Sequence, residues 1–208
     1  MFGIHDFGLF ISSAIVLTLT PGQDTFYILG RSISQGRGAG IASVLGISTG
    51  ALIHTAVTAF GLSAVLAASP NAFLIIKILG ALYLIYLGLR MLFSPAVALA
   101  IEDAYVPIPF SEIFRQGLIT NLLNPKVALF FLAFIPQFVS PQSPRKSAAL
   151  LTLSLTFLAI GTTWCLCLAL FSSLLGEKLR RHDRFPTLLN RGAGSLFILL
   201  GLRLAFAR

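Results

Sequence analysis

The sequence predicts an all-α, polytopic membrane protein of about six transmembrane helices, and three observations carry that expectation. Apolar residues make up 56% of the 208 positions and charged residues only 11%, against roughly a quarter charged in an ordinary soluble domain. The mean hydropathy is +0.90. The uncharged runs are long: residues 7–23 carry no charge, and the 39 residues between Arg37 and Lys77 carry none unless His54 is protonated. So few charges cannot coat a soluble protein of 22.3 kDa. Spans of about 20 apolar residues with short loops fill this chain six times. The composition excludes a disordered chain, a collagen and a disulfide-stapled secreted domain.

The first helix is expected over about 6–30, interrupted at Pro21-Gly22. The uncharged run after Arg37 is too long for one span, and the turn signal Ser69-Pro70-Asn71 divides it into a second helix, about 39–68, and a third, about 72–93. Residues 94–112, with Pro95, Pro107, Pro109, Glu102, Asp103 and Glu112, form the one polar stretch long enough to be a real loop. A fourth helix, about 113–139, holds Asn124-Pro125 in its middle. After a Pro/Ser turn over 140–146, residues 147–176 give the fifth span, 177–184 a charged hairpin, and about 186–206 the sixth. The whole chain, 1–208, reads as a single integral membrane domain: one half about 1–93, the loop 94–112, and a second half about 113–208.

The formal charge is +8 and the pI about 10.2. The basic residues lie between apolar runs, so they read as topology signals and contacts to anionic lipid headgroups, not as a nucleic-acid surface. Loops one, three and five hold Arg31, Arg37, Arg90, Arg115, Lys178, Arg180, Arg181 and Arg184; the opposite side holds Lys77, Arg145, Lys146, Arg203 and Arg208. That bias puts the first set in the cytoplasm and both termini outside. Five spans with one re-entrant or interfacial segment is the alternative. No lysine or arginine precedes Arg31, so the first apolar run lacks the basic start of a cleaved signal and reads as a permanent span. Cys165 and Cys167 sit two apart on one helix and point away from each other, which suits neither a disulfide nor a metal pair. Neither a metal nor another cofactor is expected.

The halves resemble each other. Thr20-Pro21-Gly22 lies over Asn124-Pro125-Lys126 at an offset of 104 residues, and Leu87-Gly88-Leu89-Arg90 matches Leu200-Gly201-Leu202-Arg203 at an offset of 113. Three helices per half is an odd number, so the second half sits upside down relative to the first. Such an inverted 3+3 repeat, with broken first and fourth helices, belongs to many secondary transporters and allows two similar packings that open to opposite sides.

Proline inside a membrane helix removes an N–H and clashes with the carbonyl four residues earlier. The backbone groups freed at Pro21-Gly22 and at Asn124-Pro125 must face protein or a wet cavity, because lipid offers them no partner. The exposed helix ends suit the carboxylate and ammonium of an amino acid. Simple kinks are the alternative for each proline taken singly. Asp24, His54 and Lys126 are the ionisable groups placed deepest. A carboxylate at that depth costs several kcal/mol unless it is paired, solvated or protonated. Asp24 is therefore a candidate proton carrier or partner of a substrate ammonium, with an ion pair to Lys126 as the structural alternative. Lys126 is a candidate for a substrate carboxylate, or for the carbonyls freed by Pro125. Thr20, Gln23, Thr25 and Asn124 offer neutral hydrogen bonds. Gly46, Gly50 and His54 make a row spaced by four, where small residues let helices approach, within one chain or between two copies of a homo-oligomer. His54 is expected to make a core hydrogen bond, with a proton relay as the alternative. Gly46-Ile47-Ser48-Thr49-Gly50 mimics the nucleophile-elbow pattern, but that motif works on a strand-to-helix turn, and Ser48 and His54 lie on different faces of one helix. No credible catalytic pair is present, so no enzyme is expected. Tyr83 and Tyr86 are expected to pack.

With these residues in place, the chain resembles the LysE/RhtB family of amino-acid exporters. The resemblance is carried by Leu19-Thr20-Pro21-Gly22-Gln23-Asp24, by Ser34-Gln35-Gly36-Arg37-Gly38-Ala39-Gly40, by residues 79–88 of the third helix, and by Phe114-Arg115-Gln116-Gly117 through Asn121-Leu122-Leu123-Asn124-Pro125-Lys126. The family pattern has a second proline where this chain has Gln23. The resemblance implies proton-driven efflux of a small amino acid or derivative across a bacterial inner membrane, with substrates resembling lysine, arginine, homoserine, threonine or leucine. Under that reading Asp24, Gln23, Thr20, Pro21, Gly22, Asn124, Pro125, Lys126 and His54 form the substrate and proton site. A cation or other solute exporter on the same scaffold, or a non-transport scaffold subunit, is the alternative.

Overall fold

The computed structural model describes residues 2–62, 64, 70–93, 107–172 and 184–206. Every regular element among them is helical; the one β feature is an isolated antiparallel bridge between Ile4 and Val139. In chain order the helices are α1 (Phe7–Leu19), α2 (Gln23–Gln35), α3 (Arg37–Ala56), α4 (Pro70–Phe93), α5 (Phe110–Leu122), α6 (Pro125–Leu129), α7 (Lys146–Leu170) and α8 (Arg184–Phe206). α3 runs on as a π-helical segment, Val57–Leu62, and α6 continues through a π-helical stretch, Phe130–Phe134, into a 3-10 turn, Ile135–Phe138. Of the loops expected from sequence, residues 94–106 and 177–183 lie outside the described residues, as does Ser69 of the turn signal at 69–71.

The backbone breaks where the prolines predict. α1 ends at Leu19, Thr20 turns to an extended conformation, and Gly22 is extended before α2 begins. In the fourth segment Leu123-Asn124 separates α5 from α6; Pro125 takes the first helical position, where no N–H is needed, and the Asn124 side chain caps the new helix by accepting from Lys126 N at 3.1 Å. One expectation is corrected. The first helix does not end near residue 30 but runs to Gln35, stopped by Gly36 at φ 85°. Arg31, expected in a loop, is therefore a buried helical residue. Arg90 lies in the last turn of α4 and Arg115 in the interior of α5.

Two helices are individually long and apolar enough to cross a bilayer, Arg37–Leu62 and Lys146–Leu170; the pair Phe110–Leu122 and Pro125–Phe138 passes jointly, bent by 48°. Phe7–Leu19, Ile78–Phe93 and Arg191–Leu202 are shorter apolar stretches. α1 has 13 residues, about 20 Å at 1.5 Å per residue, short of a hydrocarbon core of roughly 30 Å. Its continuation through α2 carries Asp24, Arg31 and several Ser and Gln side chains, which accounts for the weak apolar signal of the pair.

α4 and α8 pack antiparallel at close range. A side chain at Gly88 would strike the Gly194 carbonyl, and one at Gly201 the Ala81 carbonyl. The 113-residue offset that relates Gly88 to Gly201 also relates Ala81 to Gly194, so the two contacts are images of each other. α3 lies between α5 and α7: Gly46 admits the Phe114 backbone, and Ser48 Oγ meets Thr162 Oγ1 of α7 at 3.0 Å. Three apolar clusters result among the described residues. One joins α1, the α6 continuation, α7 and α8 through Phe10, Leu17, Phe131, Phe134, Leu153 and Phe197. Another joins α2, α3 and α7 through Ile28, Leu29, Val44, Ile47 and Leu168. The smallest sets Ile113 of α5 against Ala39 and Ala42 of α3. The helix breaks lie between the first two clusters.

Candidate functional site

The two breaks meet. The Asp24 carboxylate, in the first turn of α2, accepts Asn121 Nδ2 at 2.8 Å and Asn124 Nδ2 at 3.2 Å. Both donors come from the end of α5 and its break. In return, Lys126 Nζ donates to the Thr20 carbonyl at 2.8 Å, the group that Pro21 and the turn leave without a helical partner. Each charge sits at the helix end that favours it: the carboxylate at the N-terminus of α2, the ammonium at the C-terminus of α1. Asp24 and Lys126 form no salt bridge with one another, although no other acid or base among the described residues bonds either of them. The ion pair considered from sequence is absent; neutral amides hold the acid and a backbone carbonyl holds the base.

Both charges line one cavity of about 80 Å³, together with Thr20, Gly22, Thr25, Asn121 and Asn124 at the breaks, Ile47, Ser48 and Ala51 of α3, and Phe157, Gly161, Thr162, Trp164 and Cys165 of α7. Thr20, Asn121 and Asn124 are nearly inaccessible, at 3%, 2% and 4% exposure. Buried polar atoms of this density require partners. Three lining or adjoining atoms have none among the described residues: Asn121 Oδ1, Thr18 Oγ1 and Trp164 Nε1.

Of the residues singled out from sequence, Thr20, Gly22, Asp24, Asn124 and Lys126 come together on the cavity wall. Gln23 is exposed at the start of α2 and Pro125 is exposed at the start of α6; neither these two nor Pro21 lines the cavity. His54 stands one layer back, with Nε2 3.4 Å from the Asn121 carbonyl and its ring stacked on Phe131 at 5.5 Å. The row Gly46, Gly50, His54 faces α5 along its length. Ser48 and His54 have different partners, Thr162 and Asn121. Tyr83 does more than pack: its hydroxyl donates to the Pro125 carbonyl at 3.3 Å. Cys165 lines the cavity whereas Cys167 faces a groove between α1 and α7, so the two thiols do point apart. Asn121, Trp164 and Thr162 carried no site reading. Asn121 stands three residues before Asn124, a spacing that puts both amides on one side of the chain at the break, and this was the available signal.

On either side of the cavity the segments around the two breaks are tied together. Toward the α2 C-terminus, Tyr27 Oη donates to the Ile113 carbonyl at 2.8 Å, Arg31 Nη2 to Gln116 Oε1 at 3.1 Å, and Gln116 Nε2 to Glu112 Oε1 at 3.1 Å. Toward the α1 N-terminus, His5 N donates to the Phe138 carbonyl at 3.0 Å and Ser143 Oγ to the Phe2 carbonyl at 2.7 Å, over a stack of Phe10, Phe130, Phe134 and Phe138.

These features define a class: a multi-pass, all-helical membrane protein whose interrupted helices enclose a charged cavity. The chain belongs to the LysE type translocator family, whose sequence pattern matches residues 15–208. It is similar to the homoserine/homoserine lactone efflux protein of Salmonella typhimurium, 31% identical over 199 residues that cover 96% of this chain and 95% of that protein. It is also similar to the leucine efflux protein of the same organism, 26% identical over 204 residues, covering 98% and 96%. An uncharacterized membrane protein of Pseudomonas aeruginosa is 30% identical over 213 residues, covering 99% and 97%. No solved structure matches.

Proposed function

We propose that this protein exports a zwitterionic amino acid or a close derivative from the bacterial cytoplasm across the inner membrane, by proton antiport with alternating access of two inverted halves. The observation that carries the reading is the placement of Asp24 and Lys126 on one small cavity wall, held by amides and a backbone carbonyl and not by each other. A zwitterion supplies one ammonium and one carboxylate, and both fixed charges are already desolvated and oriented for them. The names of the efflux relatives support the same substrate class.

The mechanism follows from the bonds at the breaks. The substrate ammonium takes the place of an amide on Asp24, and its carboxylate shares Lys126 Nζ with the Thr20 carbonyl. Protonation of Asp24 from the outer side cancels the attraction for the ammonium and releases the substrate. Asp24 returns its proton on the inner side. The Tyr27–Arg31–Gln116–Glu112 cluster, beside the bases expected in the cytoplasm, is the inner gate; the Phe138 bridge and aromatic stack form the outer one. Six spans, in two halves of three, supply the rocking bodies, and the mirrored α4–α8 contacts supply the pivot between them.

Purified protein in liposomes, offered a panel of labelled amino acids with and without a pH gradient, tests this. Gradient-dependent uptake or counterflow of at least one amino acid is expected, with coupling abolished in Asp24→Asn. Full proton-driven transport by that variant refutes the role of Asp24, and transport of no amino acid refutes the function.

A further inference from the structure

Residues 2–6 run ahead of α1 as a strap on the α1 N-terminal side of the cavity. The strap pairs with residues 138–143. His5 N donates to the Phe138 carbonyl at 3.0 Å, Ser140 N to the Gly3 carbonyl at 2.9 Å and Ser143 Oγ to the Phe2 carbonyl at 2.7 Å. Ile4 stands opposite Val139 in the antiparallel bridge and packs against the apolar cluster that holds Phe10, Phe134 and Phe138. The Arg145 guanidinium lies over the Phe2 ring at 6.0 Å. These tethers hold a strained backbone. Phe2 at φ 48° and Asp6 at φ 50° are the non-glycine residues with positive φ among the described residues, and they bracket the strap; Gly3 between them has φ 76°. In the left-handed region a Cβ crowds the following carbonyl, and a bulky residue such as Phe stays there only when its surroundings force it. Asp6 stands at the N-cap of α1, where an extended backbone and a side-chain bond to the helix are usual. It is left-handed instead, and its side chain does not cap the helix.

We propose that residues 2–6 are a strain-loaded latch on the outer gate: shut, the latch pins the start of α1 to residues 138–145, and it releases each time substrate leaves on the outer side. This inference rests on the export reading above and adds the moving part. Two opposed terms set the latch. Shut, the strap gains three hydrogen bonds and the packing of Ile4, at the cost of two left-handed residues. Released, Phe2 and Asp6 relax to ordinary φ. The freed N–H and C=O groups then turn to water, since Phe2, Gly3, His5 and Asp6 are already exposed. Strain brings the two states closer in free energy, so a modest bias from substrate or proton moves the latch. α1 runs from the strap to Thr20, whose carbonyl holds Lys126. Withdrawal of the strap therefore frees the helix that carries one side of the site.

Crosslinking tests the latch. The bonds of the bridge run between the neighbours of Ile4 and Val139, so these two form a non-hydrogen-bonded pair. Cα atoms of such a pair stand about 4.5 Å apart, within the range a disulfide spans. The variant Ile4→Cys with Val139→Cys is reconstituted in proteoliposomes and oxidised, the crosslink is scored by mass spectrometry, and amino-acid counterflow is measured before and after reductant. The crosslinked protein is expected to lose transport by about tenfold or more and to regain it on reduction, while each single variant is indifferent to both treatments. Asp6→Gly adopts the same φ without strain and should hold the latch shut: amide hydrogen exchange at His5 and Ser140 slows several-fold, and counterflow falls. Gly3→Ala, whose Cβ meets Ser143 Cβ at 2.7 Å, should speed that exchange. Crosslinked protein that transports at the wild-type rate overturns the latch. So does a double variant that forms no crosslink, or an Asp6→Gly protein whose exchange is unchanged or faster; in each of these cases the export reading survives. Wild type that moves no amino acid in the same vesicles overturns the export reading, and the latch falls with it.

Discussion

Gly50 offers a sharp test of how the site is held. A Cβ built there lies 2.8 Å from Asn121 Oδ1, 2.9 Å from its Cβ and 3.2 Å from its Cγ. Non-bonded carbon atoms sit at about 3.5–4.0 Å, so Gly50→Ala forces Asn121 away by roughly 0.5–1 Å. Asn121 has no open space to swing into, because it is 2% exposed, and its backbone carbonyl is met by His54. The movement carries Nδ2 away from Asp24, where it now donates at 2.8 Å, past the limit of a useful hydrogen bond. A bond to a charged group contributes about 1.5–3 kcal/mol, and overpacking costs about 1–3 kcal/mol. One displacement relieves the second at the expense of the first, so the terms do not add, and about 1.5–3 kcal/mol is the expected total. At 1.4 kcal/mol per tenfold, that is a loss of about 10–100-fold in transport. Counterflow rates in proteoliposomes and thermal stability in detergent measure both sides, with Gly192→Ala on α8, where nothing lies within 4 Å of the added carbon, as the control. Wild-type rate and stability in Gly50→Ala would show that α3 does not position Asn121, and with it the argument for a preorganised Asp24 fails.

Other outcomes follow from the same geometry. Lys126→Met removes the ammonium and leaves the Thr20 carbonyl unbonded, so it should lower stability by about 1–3 kcal/mol and raise the KM for substrate by tenfold or more, read by unfolding in detergent and by counterflow. Cys165 lines the cavity and Cys167 does not; in a Cys167→Ser background, a small thiol reagent should label Cys165, and saturating substrate should slow labelling several-fold, as followed by mass spectrometry. Gln116→Leu strips the Arg31 and Tyr27 partner from the α2–α5 junction; labelling of Cys165 from the cytoplasmic side should then become faster, and an unchanged rate would remove that cluster as a gate. Tyr83→Phe deletes a single neutral bond at 3.3 Å on the break of α6 and should cost about 0.5–1.5 kcal/mol of stability without changing selectivity between amino acids.

Much of the architecture was legible in the chain because the forces behind it are local. Long uncharged runs give the helices, and a proline's missing N–H gives the two interruptions wherever it falls. Asp24 and Lys126 stood out because a charge at membrane depth needs a reason. Helix ends were less legible: nothing between Gly30 and Gln35 stops a helix, and Arg31 reads as a loop residue until its partners Gln35 and Gln116 are seen.

What the sequence by itself determined, then, is an all-helical membrane chain with a break near the same point of each half and a lone acid and a lone base beside those breaks. Only the tertiary structure decided that Asp24 binds Asn121 and Asn124, not Lys126; that Gln23 faces outward; and that Trp164, Thr18 and Thr162 share the cavity. The reason is physical. Periodicity and proline chemistry act within a few residues, whereas α1, α3, α5 and α7 are brought together by glycine-permitted close approach and apolar burial between segments about 30–150 residues apart. Which face of each helix looks inward is settled by those neighbours, and a side chain such as Asn121 becomes a site residue only once Gly50 lets its helix in.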